Sequence, residues 1–312
     1  MALSANVLDS IGGTPLVQLR KIVPTGAARV VVKVEGGNPT GNMKDRMAKH
    51  AIEVAERDGR LKPGGTVVEY TGGSTGASLA LVCAAKGYRC KIVTSDAFSA
   101  EKTRTAASFG AEITLVPSDG GKITAELIKQ MMEAARQISQ QPGHWWFDQL
   151  NNADAAPGYS GMAEEIWQQA GGKVDAFVQS VGSAHSLNGV ARALRKRNPA
   201  LQVVAAEPAE SAVLSGKSKG PHKIEGIGIG FLPPQWQPDE VSEIQSATTE
   251  EAMQMCRRLA REEGIFAGTS TGLNLIAALR VAERLGPAAT VATIMIDSGL
   301  RYLSTDLYRT SA

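Results

Sequence analysis

Short runs of apolar residues alternate along this chain with longer segments in which apolar residues recur every three or four positions. The short runs predict strands, in chain order 29–34, 66–69, 90–94, 112–116, 176–180, 202–207 and 290–296. The longer segments predict helices over 45–57, 78–86, 100–109, 124–139, 159–169, 187–197, 250–263 and 272–285. Such alternation is typical of parallel sheets that carry helices on both faces, so we predict an α/β fold.

Several of the predicted helices are followed by a glycine, at Gly59, Gly87, Gly110 and Gly264. Helices often end in a residue with a left-handed backbone, which glycine adopts without steric cost. We therefore expect these glycines to terminate their helices.

A polar segment near the middle of the chain, Asn151 to Gly158, combines Asn, Asp, Pro and Gly between two periodic segments. This composition is typical of a loop, and a chain of 312 residues is long enough for two domains. We predict one domain over residues 1–150 and a second over 151–312, with the option that the first stretch of about 40 residues packs on the second domain.

Composition and charge narrow the class of protein. The chain is 43% hydrophobic and 21% charged, which is typical of a folded globular protein. Its formal net charge of +2 gives no electrostatic reason to expect nucleic acid or an anionic membrane as a partner. No apolar run is long enough to cross a membrane, and the start of the chain lacks a basic region followed by an apolar core, so we expect a cytoplasmic protein.

The cysteines have neither the spacing of a metal site nor that of a redox pair. Cys83 and Cys90 lie in apolar patterns, and Cys256 is also isolated. All three are expected to be small, buried and reduced side chains, and no metal is expected.

Lys44 stands between a valine-rich predicted strand and a predicted helix, at the end of the segment Asn38–Lys44. A lysine held at such a junction, beside a glycine-containing loop, can condense with the aldehyde of a cofactor and later act as a base. Most lysines are surface charges, so this interpretation depends on the loops that follow.

Three further loops have the composition of anion-binding sites. Thr71–Gly76 and Ser180–Gly189 each follow a predicted strand and lead into a predicted helix, and Gly268–Gly272 precedes another helix. Glycines permit close backbone approach, and N–H groups with hydroxyls at a helix N-terminus bind phosphate or carboxylate. The alternative interpretations are a flexible turn for Thr71–Gly76 and a Ser/Thr helix cap for Gly268–Gly272.

Motifs along nearly the whole chain resemble, in their order, those of the cysteine synthase and cystathionine β-synthase family, which are pyridoxal-phosphate enzymes of fold type II. The motifs are Ile11–Val17, Asn38–Lys44, Gly110–Glu112, Gly161–Trp167, Pro221–Gly228 and Asp297–Thr305. The resemblance implies two doubly wound α/β domains of the tryptophan synthase β-like architecture, with pyridoxal 5'-phosphate as cofactor.

The resemblance also implies a role for each loop. Lys44 would be the catalytic lysine that forms a Schiff base with the cofactor. The substrate side would comprise Thr71, Gly72, Gly73, Ser74, Thr75, Gln149 and Gly226. The cofactor would be held by Lys44, Ser74, Gly182, Ser183, Ala184, His185, Ser186 and Ser270. Ser270 would face the pyridine nitrogen, and a hydroxyl there favours departure of a leaving group from the β-carbon after Lys44 removes the α-proton.

This chain departs from the family pattern at three places. Ser74 stands where relatives usually have asparagine, so its contact with the cofactor's phenolic oxygen is expected to be longer, water-bridged or absent. Ala184 and His185 replace two glycines of the phosphate loop, and a β-carbon restricts the backbone there. His185 is expected either to donate to the phosphate or to be a solvated loop side chain. The segment Gly158–Met162 lacks two threonine hydroxyls of the family's His-Tyr-x-Thr-Thr motif.

The resemblance implies an enzyme that makes L-cysteine from O-acetyl-L-serine, or a related activated serine, and sulfide. The alternatives are condensation of serine with a thiol, as in cystathionine β-synthase, and β-elimination of the cysteine desulfhydrase type. A non-enzyme alternative is a catalytically silent paralogue that binds the cofactor. A homodimer is expected, to which the apolar segment Ile11–Leu19 would contribute surface.

Overall fold

The computed structural model describes residues 3–121 and 124–309. They form two compact units, which we call unit 1 and unit 2. Unit 1 contains the residues up to Ile11 and Asn38–Gly158, and unit 2 contains Gly12–Gly37 and the residues from Tyr159 onward. The predicted outer limits, residues 1 and 312, lie outside the described residues.

The division in the middle of the chain falls after Gly158, and not after residue 150 as we predicted. The polar segment before Gly158 is bonded to unit 1. Asn152 Nδ2 donates to the carbonyl of Phe147 at 2.7 Å, and Asp154 forms an ion pair with Arg60 at 2.6 Å. These bonds make the segment part of unit 1, although its composition is that of a linker.

The elements follow the predicted alternation. The strands are β1 (Leu16–Gln18), β2 (Arg29–Val34), β3 (Thr66–Tyr70), β4 (Arg89–Ser95), β5 (Glu112–Val116), β6 (His144–Trp146), β7 (Ala176–Ser180), β8 (Gln202–Pro208), β9 (Glu243–Ala247) and β10 (Thr290–Met295). The helices are α1 (Lys44–Arg57), α2 (Ser74–Lys86), α3 (Ala100–Ser108), α4 (Ala125–Ser139), α5 (Ser160–Gln169), α6 (His185–Arg195), α7 (Thr249–Arg258) and α8 (Thr269–Leu285).

Each strand that the sequence predicted is confirmed to within one residue at either end. The strands that the pattern missed, β1, β6 and β9, all lie at sheet edges. An edge strand is covered less completely than a central one, so its sequence needs less apolar character. β1 and β6 are only three residues long, and β9 is mostly half-buried.

Unit 1 contains a parallel sheet in the order β5-β4-β3-β6. Its core combines Val68 and Val93 of the sheet with Leu127 and Met131 of α4. The two α4 residues lie on the apolar face of an amphipathic helix, which packs against the sheet. Because β3 and β6 run parallel, the residues after Tyr70 and after Trp146 emerge at the same edge of the sheet.

Unit 2 contains a sheet in the order β1-β2-β10-β7-β8-β9, in which β1 is antiparallel to β2 and the other pairs are parallel. The apolar face of α8 is buried in its core, with Leu273, Leu275 and Val281 beside the strand residues Val30 and Val178. The predicted α/β class with parallel sheets is confirmed.

The predicted helix ends and cysteines are also confirmed. Gly59, Gly87, Gly110 and Gly264 all have positive φ, between 71° and 88°. The three cysteines are buried and free.

A buried polar cluster ties the opening motif of the chain to α5 within unit 2. Lys33 is 0% exposed, and its Nζ lies 2.6 Å from Glu165 Oε2 and 3.0 Å from Gln169 Oε1. It also donates to the carbonyl of Thr14. Glu165 in turn accepts from the N–H of Gly13 at 3.1 Å. Two of the motifs that carry the family resemblance therefore meet at one buried cation.

Candidate active site

Lys44 is the first residue of α1 and is half-buried. The chain reaches it from β2 through a glycine turn, in which Gly41 has a φ of +75° and donates from its N–H to the carbonyl of Asn38 at 2.7 Å. The N–H of Lys44 donates to Asn42 Oδ1 at 2.8 Å. The side chain of Asn42 thus satisfies one of the N–H groups at the N-terminus of this helix, and this local hydrogen bond fixes the backbone of Lys44.

Asp45, the next residue, is fully buried and accepts hydrogen bonds from two segments. Its carboxylate accepts from the N–H of Thr40 at 2.9 Å and from Ser78 Oγ at 2.6 Å. Ser78 Oγ also lies 3.2 Å from the carbonyl of Ser74. Asp45 and Ser78 therefore connect the Lys44 segment to the first turn of α2, a connection that the sequence analysis missed because nothing in the pattern marks Asp45 as buried.

The Thr71–Thr75 loop joins β3 to α2 and requires its glycines. A β-carbon on Gly73, whose φ is +144°, would lie 2.4 Å from Lys102 Cδ, and one on Gly72 would lie 2.7 Å from the ring of Phe98. The N–H of Gly73 donates to Thr71 Oγ1 at 3.0 Å. This packing and the hydrogen bond within the loop argue against the flexible-turn interpretation.

The structure brings Gln149 to this loop. Thr75 Oγ1 donates to Gln149 Oε1, and the N–H of Gln149 donates to Glu69 Oε2 at 2.9 Å. Burial raises the pKa of Glu69 well above its ordinary value, with the nearby charge of Asp148 as a further cause, while the N–H groups of Gln149 and Tyr70 oppose the rise.

In unit 2, the Gly182–Ser186 segment leads from β7 into α6. A β-carbon on Gly182 would lie 2.6 Å from the carbonyl oxygen of Gly226, so only glycine fits. The N–H of Gly228 donates to the carbonyl of Val181 at 3.1 Å, which holds the glycine-rich segment around Gly226 beside this loop. Ser186 Oγ accepts from Gln179 Nε2 at 2.5 Å.

Ala184 and His185 occupy the start of α6. Ala184 is the N-cap residue and has a left-handed backbone with φ +68°. The chain thus keeps a backbone shape suited to glycine although a β-carbon is present. His185 is only 1% exposed, so the interpretation as a solvated loop histidine is wrong.

Ser270 lies in the first turn of α8 and is 2% exposed. The N-cap of α8 is Gly268, and no side chain makes a cap hydrogen bond there, so the alternative interpretation of Gly268–Gly272 as a Ser/Thr helix cap is wrong. The neighbouring hydroxyls are used within unit 2: Thr269 Oγ1 accepts from the N–H of Glu225 at 3.2 Å, and Thr271 Oγ1 from the N–H of Ile296 at 3.1 Å.

Gly268 is packed against a buried pair of polar side chains. A β-carbon there would lie 2.3 Å from Asp297 Oδ1 and 2.4 Å from the ring of Tyr302. The hydroxyl of Tyr302 donates to Asp297 Oδ2 at 2.7 Å, and burial raises the pKa of Tyr302 well above its ordinary value. Burial also raises the pKa of the Cys256 thiol, whose sulfur lies 3.1 Å from the carbonyl of Gly268, to about 12.

The fold places a lysine at a strand-to-helix junction, and in each unit a glycine with no room for a β-carbon precedes a helix. These features are typical of an enzyme that uses a phosphate-bearing aldehyde cofactor. The chain belongs to the family of pyridoxal-phosphate dependent enzymes, whose family model matches residues 7–297. Among its relatives is the cysteine synthase of Staphylococcus aureus, to which it is 42% identical over 305 residues, 97% of this chain and 96% of that one.

Solved structures agree with this assignment. The O-acetyl serine sulfhydrylase isoform 3 of Entamoeba histolytica has a TM-score of 0.91 and 39% identity, and the match covers 100% of this chain and 93% of that one. The O-acetylserine dependent cystathionine beta-synthase of Helicobacter pylori has a TM-score of 0.92 and 31% identity, covering 99% of this chain and 100% of that one.

The residues present fit pyridoxal 5'-phosphate, the cofactor of this family. The cofactor's aldehyde requires an amine, and Lys44 carries one at the first turn of α1. Its phosphate requires backbone N–H donors that can be approached closely. α6 begins beside Gly182, where a β-carbon is excluded, and the N-cap side chain of Ala184 cannot accept from the first-turn N–H groups.

Across residues 3–121 and 124–309, the structure contains no helix that is both long and apolar enough to span a membrane.

Proposed function

We propose that the protein makes L-cysteine by β-replacement from O-acetyl-L-serine, or a related activated serine, and sulfide. One observation carries the proposal beyond the family assignment. The hydrogen bonds of unit 1 join the Lys44 segment, the Thr71–Thr75 loop and Gln149, so an amine and two carboxylate-binding groups belong to one bonded framework. A reaction at the α- and β-carbons of an amino acid needs this combination.

Lys44 is the catalytic residue of this proposal. When bound, pyridoxal phosphate supplies the electron sink for negative charge that develops at the substrate α-carbon. Lys44 would hold the cofactor through its Nζ, and the same amine would act as the base that takes the substrate α-proton. Acetate leaves from the β-carbon with its bonding electrons, sulfide adds at the same carbon, and Lys44 returns the proton to the α-carbon.

The other residues bind and orient. Thr71–Thr75 and Gln149 hold the substrate carboxylate through hydroxyl, amide and backbone N–H donors, with Gly226 also on the substrate side. Gly182–Ser186 would hold the cofactor phosphate at the N-terminus of α6. Ser74 would contact the cofactor, and Ser270 would face its pyridine nitrogen, where a hydroxyl does not stabilise a proton as a carboxylate would.

The test supplies the purified holoenzyme with O-acetyl-L-serine, O-phospho-L-serine and L-serine in turn, each with sulfide or with homocysteine, and identifies the products. Cysteine from O-acetyl-L-serine and sulfide is expected to be the fastest product. Faster formation of cystathionine would favour the cystathionine β-synthase alternative, for which the Helicobacter pylori structure is the specific observation. Pyruvate without replacement would favour elimination, and no product from any substrate would favour a silent paralogue.

We also propose that the protein is a cytoplasmic homodimer. The support for a dimer is analogy with the family to which the chain belongs. The segment Ile11–Leu19, which we expected to contribute apolar surface, instead packs Val17 and Leu19 into the core of unit 2. Sedimentation at micromolar concentration is expected to give twice the mass of one chain, and a monomer alone would refute the dimer.

A further inference from the structure

A buried carboxyl lies directly before the Thr71–Thr75 loop. Glu69, near the end of β3, is 0% exposed. Its Oε1 accepts from the N–H of Tyr70 at 2.9 Å, and its Oε2 accepts from the N–H of Gln149 at 2.9 Å. One side chain therefore connects the end of β3 to the turn that follows β6.

The residue before Gln149 has a backbone conformation that L-residues rarely adopt. Asp148 has a φ of +49°, and among the described residues other than glycine only Ala184 shares a positive φ. Such a conformation costs stability and persists where its surroundings impose it, most often at functional sites.

The turn at Asp148 is closed by several hydrogen bonds. The N–H groups of Asn151 and Asn152 both donate to the carbonyl of Asp148, at 3.0 and 2.9 Å. Asn151 Nδ2 donates to both carboxylate oxygens of Asp148 at 3.0 Å. Together with Glu69, these bonds fix the backbone of Gln149 from both sides.

The fixed backbone and the hydrogen bond from Thr75 together set the direction of the Gln149 amide. Thr75 Oγ1 donates to Gln149 Oε1, and Nε2 is the part of the amide that would donate to an anion. A donor ordered before binding does not have to be immobilised when the ligand arrives, which favours affinity.

We propose that Glu69 and Asp148 are positioning residues that fix Gln149 for the carboxylate of the amino-acid substrate. The identity of the ligand rests on the proposed function, whereas the fixing of the turn does not. Neither residue needs to touch the substrate. Their role is to hold the Gln149 amide in its binding orientation through the backbone.

The first test compares Glu69→Gln with the wild type. Glutamine keeps the volume but replaces one acceptor oxygen by a donor, so one of the two backbone bonds is lost. Amides of residues 147–152 should exchange with deuterium about tenfold faster. The KM for O-acetyl-L-serine should rise about tenfold with kcat changed by less than about twofold, because the change acts on binding. Pyridoxal-phosphate affinity of the apoprotein should remain as in the wild type.

Glu263→Gln is the matched control. Glu263 also accepts backbone hydrogen bonds at a turn, from the N–H groups of Arg20, Lys21 and Ile22, but it belongs to unit 2. This variant should leave the exchange of residues 147–152 and the KM unchanged.

A second pair of variants covers the case in which Glu69→Gln does not fold. Asp148 is half-buried, so its replacement disturbs no core. Asn tolerates a left-handed backbone and keeps an acceptor for Asn151, whereas Val resists that backbone and has none. Asp148→Asn should behave as the wild type, and Asp148→Val should raise both the exchange rate and the KM.

The two proposals fail in different ways. A wild type that does not convert O-acetyl-L-serine refutes the proposed function, and the exchange measurement still decides whether Glu69 and Asp148 fix the turn. Unchanged exchange in both Glu69→Gln and Asp148→Val overturns the positioning role. Faster exchange with an unchanged KM in an active enzyme also overturns it, because Gln149 would then not be the group that the turn positions for substrate.

Discussion

At the scale of single residues, two positions of the proposed phosphate loop combine features that their residue types do not suggest. Ala184 has a left-handed backbone although it carries a β-carbon, and His185 is buried although it lies at a helix start. The sequence identified both positions as departures. It could not give their outcome, because alanine has no preference for a left-handed backbone and the burial of His185 depends on residues distant in sequence.

Ser270 tests the proposed chemistry at the same scale. Ser270→Asp places a carboxylate where we propose that the pyridine nitrogen lies, and a carboxylate stabilises a proton on that nitrogen. We expect the variant to lose β-replacement turnover and to accumulate new absorbing species in stopped-flow spectra, while Ser270→Ala loses less. Full activity of Ser270→Asp with an unchanged spectrum would mean that another residue faces the ring.

At the scale of elements, the sequence predicted the loops between strands and helices but not where the helices begin. α2 and α8 start at Ser74 and Thr269, earlier than their apolar periodicity indicates. The polar first turns carry no apolar pattern, because their buried hydroxyls make hydrogen bonds in place of apolar contacts, as Thr75 does with Gln149 and Thr271 with the N–H of Ile296. The hydroxyls that we interpreted as loop residues are therefore first-turn residues of helices.

The N-terminus of α6 gives a prediction at this scale. Ser183→Ala and Ser186→Ala each remove a hydroxyl that we propose to bind the cofactor phosphate, and a hydrogen bond to a charged group contributes about 1.5–3 kcal/mol. Pyridoxal-phosphate affinity of the apoprotein, followed by absorbance titration, should fall at least about tenfold in each variant. The exposed Ser108 of α3 provides a control, since Ser108→Ala should not change the affinity. Wild-type affinity in both variants would contradict the assignment of this loop.

Glu69, at the end of β3, predicts a pH dependence of stability. Burial raises its pKa in the folded protein above the ordinary value of 4.5, so the folded state binds this proton more tightly than the unfolded state. The stability that Glu69 contributes is therefore fully present below pH 4.5 and is lost as the pH rises towards the folded-state pKa. Urea unfolding of wild type and Glu69→Gln should be compared across this range. As the pH rises, the unfolding free energy of the wild type should fall relative to that of Glu69→Gln. A constant difference would mean that the folded-state pKa of Glu69 is not raised.

At the scale of the whole molecule, the alternation of strands and helices was sufficient for the α/β class, the central strands and the helices. It was not sufficient for the buried polar contacts that organise each unit. Lys33 lies in a valine-rich strand and has the sequence context of an exposed position, yet it is 0% exposed because Glu165, Gln169 and the Thr14 carbonyl surround its ammonium group. Partners from α5 and from the segment around Thr14, both distant from Lys33 in sequence, cannot be read from a local pattern.

Replacing Lys33 is predicted to lower the free energy of unfolding. Lys33→Met removes the cation and leaves Glu165, whose side chain is 23% exposed, without its charge partner, at a cost of about 3 kcal/mol. Equilibrium unfolding should show this loss, and the double variant Lys33→Met/Glu165→Gln should recover part of it, because no isolated charge remains. Equal stability of Lys33→Met and wild type would contradict the role of this ion pair.

The central claim is that Lys44 holds the cofactor, and borohydride reduction tests it most directly. The holoenzyme is reduced, digested and mapped by mass spectrometry, with Lys44→Ala as the test variant and Lys49→Ala, on the same helix, as the matched control. We predict pyridoxyl-modified Lys44 in the wild type and in Lys49→Ala, and no modified peptide from Lys44→Ala. The rival position is Lys102, which is 4% exposed and lies against Gly73 of the Thr71–Thr75 loop. Modification of Lys102, or of any lysine other than Lys44 in the wild type, would contradict the account.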